Sequence, residues 1–500
     1  MMELGKAAAY SEFGSDVFSD AEMARRLPAE LYIALHRTIE EGSELTYDVA
    51  GAVATAMLEW ATEHGATHYT HWFQPMTGAT AEKRDTFIDF AGLDRMPILS
   101  FSAKALIKGE ADGSSFPSGG LRATFEARGY TTWDCMSPAF LKRNSDGTKC
   151  LCIPTAFCSF SGEALDEKTP LLRSMEAINH QALRVLRLLG DTKTRRVTPT
   201  VGGEQEYFLV DKRAFHKRKD LVYTGRTLFG APPAKGQELS DQYYAATPEP
   251  VMAFMHELND ALWRMGVPCK TEHNEVAPSQ YELAPLFVSA NLAVDHNQII
   301  METMRRTAER HGLTCLLHEK PFAGVNGSGK HNNWSLLTDT GVNLLKPGKD
   351  EAGSRVFFTF LMAVIAAVDE YAPMLRMSSA TIGNENRLGG EEAPPPIISV
   401  YLGNYLQSEL ERIAGGGTKG IQISGTDSGF LRSAVRVDAA AHPVIGRKGL
   451  RGGNAVVRHH HREPALRHRR QGLEEVSHAL HPAGAVSYTH LRAHETEADL

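Results

Sequence analysis

The sequence predicts an α+β chain, and three features carry that expectation. An early stretch repeats its apolar residues with helical spacing. A middle stretch alternates short apolar runs with Gly, Ser, Pro and Asp clusters. Amphipathic helices then alternate with strand-like segments. The stretch DAEMARRLPAELYIALHRTIEEGSELTYDVAGAVATAMLEWATEHGA is helical, with Asp20 placed to cap its start and Gly42 and Gly65 punctuating it. From His68 to about Phe160, runs such as MPILSFSA and CLCIPTAFC read as small strands between loops. Ser174 to Gly190 is an amphipathic helix with a glycine stop, and VTPTVGGEQEYFLVD follows it as a strand. PEPVMAFMHELNDALWRMG is a further helix, and no internal repeat or long low-complexity linker is visible.

Bulk properties exclude several classes. A chain of 500 residues has room for about three domains. With 42% hydrophobic and 23% charged residues it has an ordinary globular composition. A net charge of -7 argues against general nucleic-acid or membrane-surface binding. Cys150-Leu-Cys152 has no matching second pair, so thiols in a reducing cytosol are expected rather than a zinc site. The first residues lack a sustained apolar stretch. The run VFFTFLMAVIAAV from Val356, about 13 residues, reads as a core helix too short to span a bilayer. A cytoplasmic location is therefore expected. After Gly425 the apolar periodicity decays, and nine of the 21 His lie from His442 onward. Residues 426–500 are expected to be an anomalous tail, non-native or disordered, with metal binding as a further reading.

Four motifs bear chemistry. In GGEQEYFLV, Glu204 and Glu206 are two apart, so on one strand both carboxylates share a face. Such a pair is costly on an apolar face without a cation, and Mg²⁺ or Mn²⁺ would supply it through oxygen ligands. In EHNEVAPSQYELAP, Glu275 and Glu282 are seven apart, which a flat strand does not place on one face; a bend or bulge near Pro278 would bring them together. In HEKPFAGVNGSGKHNNWSL, Gly324 to Lys330 is G-x-x-x-x-G-K, one residue short of a P-loop. His331 stands where Ser or Thr should follow, and HNNWSLLTD is a poor helix start. The small residues suit close backbone approach to anionic oxygens, and His331 suits a metal. In NRLGGEEAPPPIISVYLG, Arg387 is a carboxylate or phosphate clamp, and a Pro run follows Glu392. Alone, each motif also reads as solvated surface charge.

Together, in this order, the motifs resemble glutamine synthetase, from about Val17 to about Gly420. HYTHWFQPMTG, SSFPSGGLRATFEARGYTTWD and HEKPFAGVNGSGKHNNWS resemble its type III branch. The resemblance implies a helical N-terminal extension over 1–66, a β-grasp-like domain over 67–172, and a catalytic domain over 173–425 whose curved antiparallel sheet is flanked by helices. It implies ATP-dependent ligation of ammonium to glutamate, with two or three Mg²⁺ or Mn²⁺ per site. It also implies self-association into stacked rings, a dodecamer in the family, with the site between subunits. By the same resemblance Glu206, Glu275 and Glu282 match ligands of the metal that activates glutamate and ammonia. Glu204 and His331 match ligands of the metal on the ATP phosphates. Asn326 and Gly327 match substrate-binding positions, and Ser335 a position near the nucleotide. Arg387 matches the glutamate-carboxylate clamp, Glu392 the flap acid, and Asp112 the aspartate that binds ammonium across the interface.

The sequence departs from the family downstream. Between Leu402 and Leu500 there is no F-E-x-R, and Arg432, Arg436 and Arg447 lie in the wrong context for a phosphate clamp. Little or no turnover by this chain is therefore expected. Two other readings remain: a γ-glutamyl ligase for another amine, and a non-catalytic nucleotide- and metal-binding relative.

Overall fold

A computed structural model describes residues 10–74, 80, 83–91, 96–110, 128–231, 236–329, 331–348 and 350–379, with short pieces at 399–402, 406–408, 410–411, 436–438 and 489–490. The first helical stretch forms three helices, Asp20–Arg26, Ala29–Glu41 and Tyr47–Glu63. The first is capped one residue earlier than the sequence suggests: the Ser19 hydroxyl accepts the Glu22 N–H, and Asp20 lies in the first turn. Gly42 closes the second helix in the left-handed region at φ +70, where glycine carries no Cβ penalty.

These helices cover one face of a six-stranded sheet. Its order is Arg84–Thr86, Ala66–Trp72, Lys149–Ser159, Gly129–Trp133 and Lys108–Glu110, with Phe140–Arg143 also pairing to Lys149–Ser159. Only Ala66–Trp72 and Lys149–Ser159 run parallel. Leu35, Val53, Met57 and Trp60 pack against Leu141, Leu151 and Ile153 beneath. Each such side chain, fully buried, stabilises the fold by about 1.5–3 kcal/mol. All six Cys are free, and Cys150 and Cys152 are buried in the central strand.

Two further sheets carry the predicted site. In one, Cys269–Asn274, Gln280–Pro285, Gln205–Asp211 and Leu313–Leu316 lie side by side, all antiparallel. In the other, Val288–Ser289, Val197–Gly203 and Asn332–Thr338 are antiparallel neighbours, and the fragments Thr489–His490, Arg436–Asp438 and Ser399–Tyr401 continue that order. VTPTVGGEQEYFLVD is thus not one strand: it breaks at Glu204, and its halves belong to different sheets. Two glycines at 202 and 203 precede the break, and the Gly202 backbone runs against Phe287 so closely that a Cβ would meet Phe287 Cβ at 3.3 Å.

The helices Glu249–Arg264 and Ala290–Arg310 pack over the first of these sheets. Phe254, Leu258, Leu262, Ile300 and Met304 join Tyr207, Tyr281 and Leu283, and the same core takes in Trp72 and Phe140 of the N-terminal sheet. A polar cluster stitches this seam. Lys168, at the start of helix Lys168–Leu188, lies 2.6 Å from Asp295 and 3.0 Å from Asp134. Asn291 donates to Ser137 at 3.1 Å and to Asp134 at 3.3 Å. Burial alone would lower the Lys168 pKa, but the two carboxylates push it up to about 12.

The apolar run at Val356 belongs to a longer helix than the sequence suggests, Glu351–Ser379, of 29 residues. Within its segment Glu351–Leu375 an 18-residue stretch reaches a mean hydropathy of 1.6, long and apolar enough to cross a membrane by length and composition. Phe357, Phe360 and Leu361 instead pack with Leu186, Val197 and Leu336, as a core helix would. Apart from the two strand fragments at 436–438 and 489–490, the expected anomalous tail lies outside the described residues.

Candidate metal and substrate site

Three carboxylates converge on the end of the four-stranded sheet. Glu206 in Gln205–Asp211 is the cross-strand partner of Glu282 in Gln280–Pro285, and Glu282 in turn is the partner of His273 in Cys269–Asn274. Glu275 follows the last strand by one residue. The chain then turns through Pro278 and Ser279, which sits at φ +61, so a tight turn rather than a bulge brings Glu275 back toward Glu282. Exposure is 3% for Glu206, 8% for Glu275 and 9% for Glu282.

His273 occupies the centre of this corner. Its Nε2 is 3.2 Å from Glu282 Oε1, and its Nδ1 is 3.5 Å from Glu275 Oε1. The hydrogen bond to Glu282 pushes the imidazole up to about 9, so it is an imidazolium at neutral pH. One atom each from His273, Glu275 and Glu282 lie within 4.8 Å of one another. Buried carboxylate oxygens at this spacing are a donor set that fits a hard divalent cation, and the imidazolium beside them balances their charge without serving as a ligand.

The orientation of Glu206 is fixed on both oxygens. Gln280 Nε2 donates to its Oε2 at 2.6 Å, and the Gly329 N–H donates to its Oε1 at 3.0 Å. Gln280 is fully buried, its Oε1 accepts the Ala277 N–H at 3.2 Å, and its backbone carbonyl accepts the Glu275 N–H at 2.9 Å. One glutamine therefore links two of the three carboxylate-bearing segments.

The near-P-loop lies beside them. No helix follows Gly329; the chain enters strand Asn332–Thr338 instead. The Ser328 N–H bonds the Glu319 carbonyl at 2.8 Å, the Gly327 N–H bonds Asn326 Oδ1 at 3.0 Å, and Asn326 donates its own N–H to Gln237. Position 327 needs glycine: a Cβ there would meet the Glu319 carbonyl oxygen at 2.4 Å. Glu204 and His331 form a second acid–imidazole pair, Oε2 to Nδ1 at 3.1 Å, and Asn333 donates to the other Glu204 oxygen at 2.8 Å. The Glu204 N–H also bonds the His331 carbonyl at 2.9 Å.

The structure thus brings Glu206, Glu275 and Glu282 together, holds Glu204 against His331, and places Asn326 and Gly327 on the loop that reaches Glu206. Ser335 stands apart, on the strand after His331, buried and donating its hydroxyl to Asn343. Asp112, Arg387 and Glu392 lie outside the described residues. His273 and Gln280 were not singled out from the sequence. Their signal was the spacing in EHNE and SQYE, where each lies two residues from a carboxylate.

The chain matches two family descriptions: glutamine synthetase type III N terminal over residues 9–174, and glutamine synthetase catalytic domain over residues 180–388. It is 51% identical over 415 residues to a type-3 glutamine synthetase of Dictyostelium discoideum, covering 83% of this chain and 56% of that protein. It is 50% identical over 401 residues to a glutamine synthetase of Bacteroides fragilis, covering 80% of this chain and 54% of that one. The chain thus spans about half the length of these relatives. Among solved structures, a glutamine synthetase of Plasmodium falciparum aligns at a TM-score of 0.48 and 16% identity, over 67% of this chain and 63% of that one. With both family descriptions matched in sequence along the chain, it belongs to the glutamine synthetase family, on the type III branch.

Proposed function

We propose that this site ligates ammonia to the γ-carboxylate of L-glutamate at the expense of ATP, through γ-glutamyl phosphate, giving glutamine, ADP and phosphate. The observation that carries the reading is the buried corner of Glu206, Glu275 and Glu282 next to the Glu204–His331 pair. In this reading the first three carboxylates hold the cation on the glutamate and ammonia side. Glu204 and His331 hold the one on the ATP phosphates. Two or three Mg²⁺ or Mn²⁺ ions, when bound, spread the charge of the transferred phosphoryl group.

The chain's own residues supply position and proton handling. Asn326 and Gly327 hold glutamate, and Ser335 lies toward the nucleotide. Arg387 clamps the glutamate carboxylate. Asp112 binds ammonium and accepts a proton from it, since ammonium has no free pair to attack with. Glu392 closes the site against water and takes the remaining proton from the tetrahedral adduct. We place the reaction in the cytosol and in a ring assembly whose neighbouring subunit supplies Asp112.

The test is phosphate release from ATP by the folded chain, with Mn²⁺ and ADP binding measured separately. Mn²⁺ and ADP binding with weak turnover is expected, because no F-E-x-R segment occurs between Leu402 and Leu500. Release that requires glutamate, ammonium and ATP together would show a complete site. A folded chain that binds neither Mn²⁺ nor ADP would sink the reading.

A further inference from the structure

The segment 237–247 touches both halves of the site. At one end, Gln237 Oε1 accepts the Asn326 N–H of the near-P-loop. At the other, the half-buried Gln242 donates its Nε2 to the Ala277 carbonyl at 2.8 Å and reaches the Gln280 carbonyl at 3.4 Å. Both carbonyls lie in the turn that returns Glu275 toward Glu282, and the Gln280 carbonyl also accepts the Glu275 N–H. Asn274, the residue before Glu275, ties the segment down again. Its Nδ2 donates to the carbonyls of Gln242 at 3.1 Å and Ala245 at 2.8 Å, and its Oδ1 accepts the Thr247 hydroxyl at 2.9 Å. Between the two glutamines the backbone is strained. Leu239 and Ser240 sit at φ +56 and +52, in the left-handed region, although neither is glycine. Such backbone persists only where its surroundings hold it. Leu239 is 96% exposed, so its side chain packs on nothing, and the hydrogen bonds at the two ends of the segment hold the kink.

We infer that 237–247 is a strap whose two glutamines position the two halves of the site: Gln242 sets the turn that aims Glu275 at the cation, and Gln237 sets the loop that carries Asn326 and Gly327 for glutamate. The inference rests on the reading of that site given above and adds two positioning residues to it. Neither glutamine would touch a ligand; each acts through the backbone of a residue that does. Groups behind a ligand matter in this way because a carboxylate must be held close to its productive geometry before the cation arrives.

Two titrations of the full chain test the two roles separately: Mn²⁺ followed by electron paramagnetic resonance, and L-glutamate by calorimetry at saturating Mn²⁺. Gln242→Met keeps the volume and removes the donor. It should weaken Mn²⁺ by about 10–100-fold. If it does not fold, Thr247→Val loosens the same attachment and should weaken Mn²⁺ in the same direction. Gln237→Met removes the acceptor of the Asn326 N–H. It should weaken L-glutamate by about five- to tenfold, as the loss of one hydrogen bond implies, and leave Mn²⁺ affinity unchanged. A segment that only stabilises the fold would lower the unfolding midpoint of both variants and move neither affinity. Folded variants that match a wild type able to bind both probes therefore overturn the inference alone. A wild type that fails to bind one of the probes sinks the reading of that half of the site, and the matching glutamine's role with it.

Discussion

Glu206 and Glu282 face each other across adjacent antiparallel strands, both almost wholly buried. Like charges so placed oppose folding, and the pair persists because other groups hold each carboxylate: Gln280 and Gly329 on Glu206, His273 on Glu282. Glu282→Gln removes one charge and keeps an acceptor for His273. The metal-free chain should therefore stay within about 1 kcal/mol of wild type. Mn²⁺ affinity should fall by at least about tenfold, since even groups behind a ligand cost that much. Urea unfolding and Mn²⁺ titration followed by electron paramagnetic resonance give the two numbers. Unchanged Mn²⁺ affinity would remove Glu282 from the ligand set.

Gln280 would touch no metal or substrate, yet it orients Glu206 and anchors the turn after Glu275. It is a positioning residue. Gln280→Leu removes one donor from Glu206 and the acceptor of the Ala277 N–H, costing about 1–3 kcal/mol. It should also lower Mn²⁺ affinity by about 10–100-fold. Gln280→Glu restores the acceptor for Ala277 but sets a fourth carboxylate against Glu206. If Gln280 acts through orientation, this variant binds Mn²⁺ worse than wild type; equal binding would mean that Glu206 orients itself.

Much of this site was legible in the residues. Glu204, Glu206, Glu275, Glu282 and His331 stand out because acids at short spacing with a nearby His have few apolar explanations. The loop at Asn326 was legible as something other than a P-loop because His331 replaces the hydroxyl residue. Local periodicity could not show that the chain breaks at Glu204, sending Glu204 to His331 and Glu206 to Glu282, since sheet membership depends on partners distant in sequence. For the same reason His273 escaped notice: only register against Glu282 gives it a role. The full length of helix Glu351–Ser379 was hidden because Asp369, Glu370 and Pro373 interrupt the apolar run that marked it.

The seam cluster of Lys168, Asp134 and Asp295 makes its own prediction. The ammonium and both carboxylates are buried, with Ser137 and Asn291 completing the hydrogen bonds. Lys168→Met keeps the volume and strands two carboxylates. Removing one partner of a buried ionic cluster costs about 3–5 kcal/mol. Because the cluster joins the N-terminal sheet to helix Ala290–Arg310, loosening should appear first as faster hydrogen exchange on both sides of the seam. Exchange that rises only around position 168 would show the cluster to be a local feature.

His296 sets an acid limit on the same helix. It is 6% exposed, its Nδ1 has no hydrogen-bond partner, and burial pulls it from the ordinary 6.5 down to about 4. The folded chain therefore holds it neutral where the unfolded chain protonates it. The stability it contributes is complete above about pH 6.5 and is lost as pH falls through about 4. The loss is on the order of 2–3 kcal/mol for a shift of this size. His296→Leu fills the site without a titrating group. Carboxylates still destabilise both proteins in acid, so the quantity to compare is the fall in unfolding free energy between about pH 7 and 4. It should be smaller in the variant by on the order of 2 kcal/mol. Parallel pH profiles for the two proteins would mean that His296 is paired or hydrated in solution and does not limit acid stability.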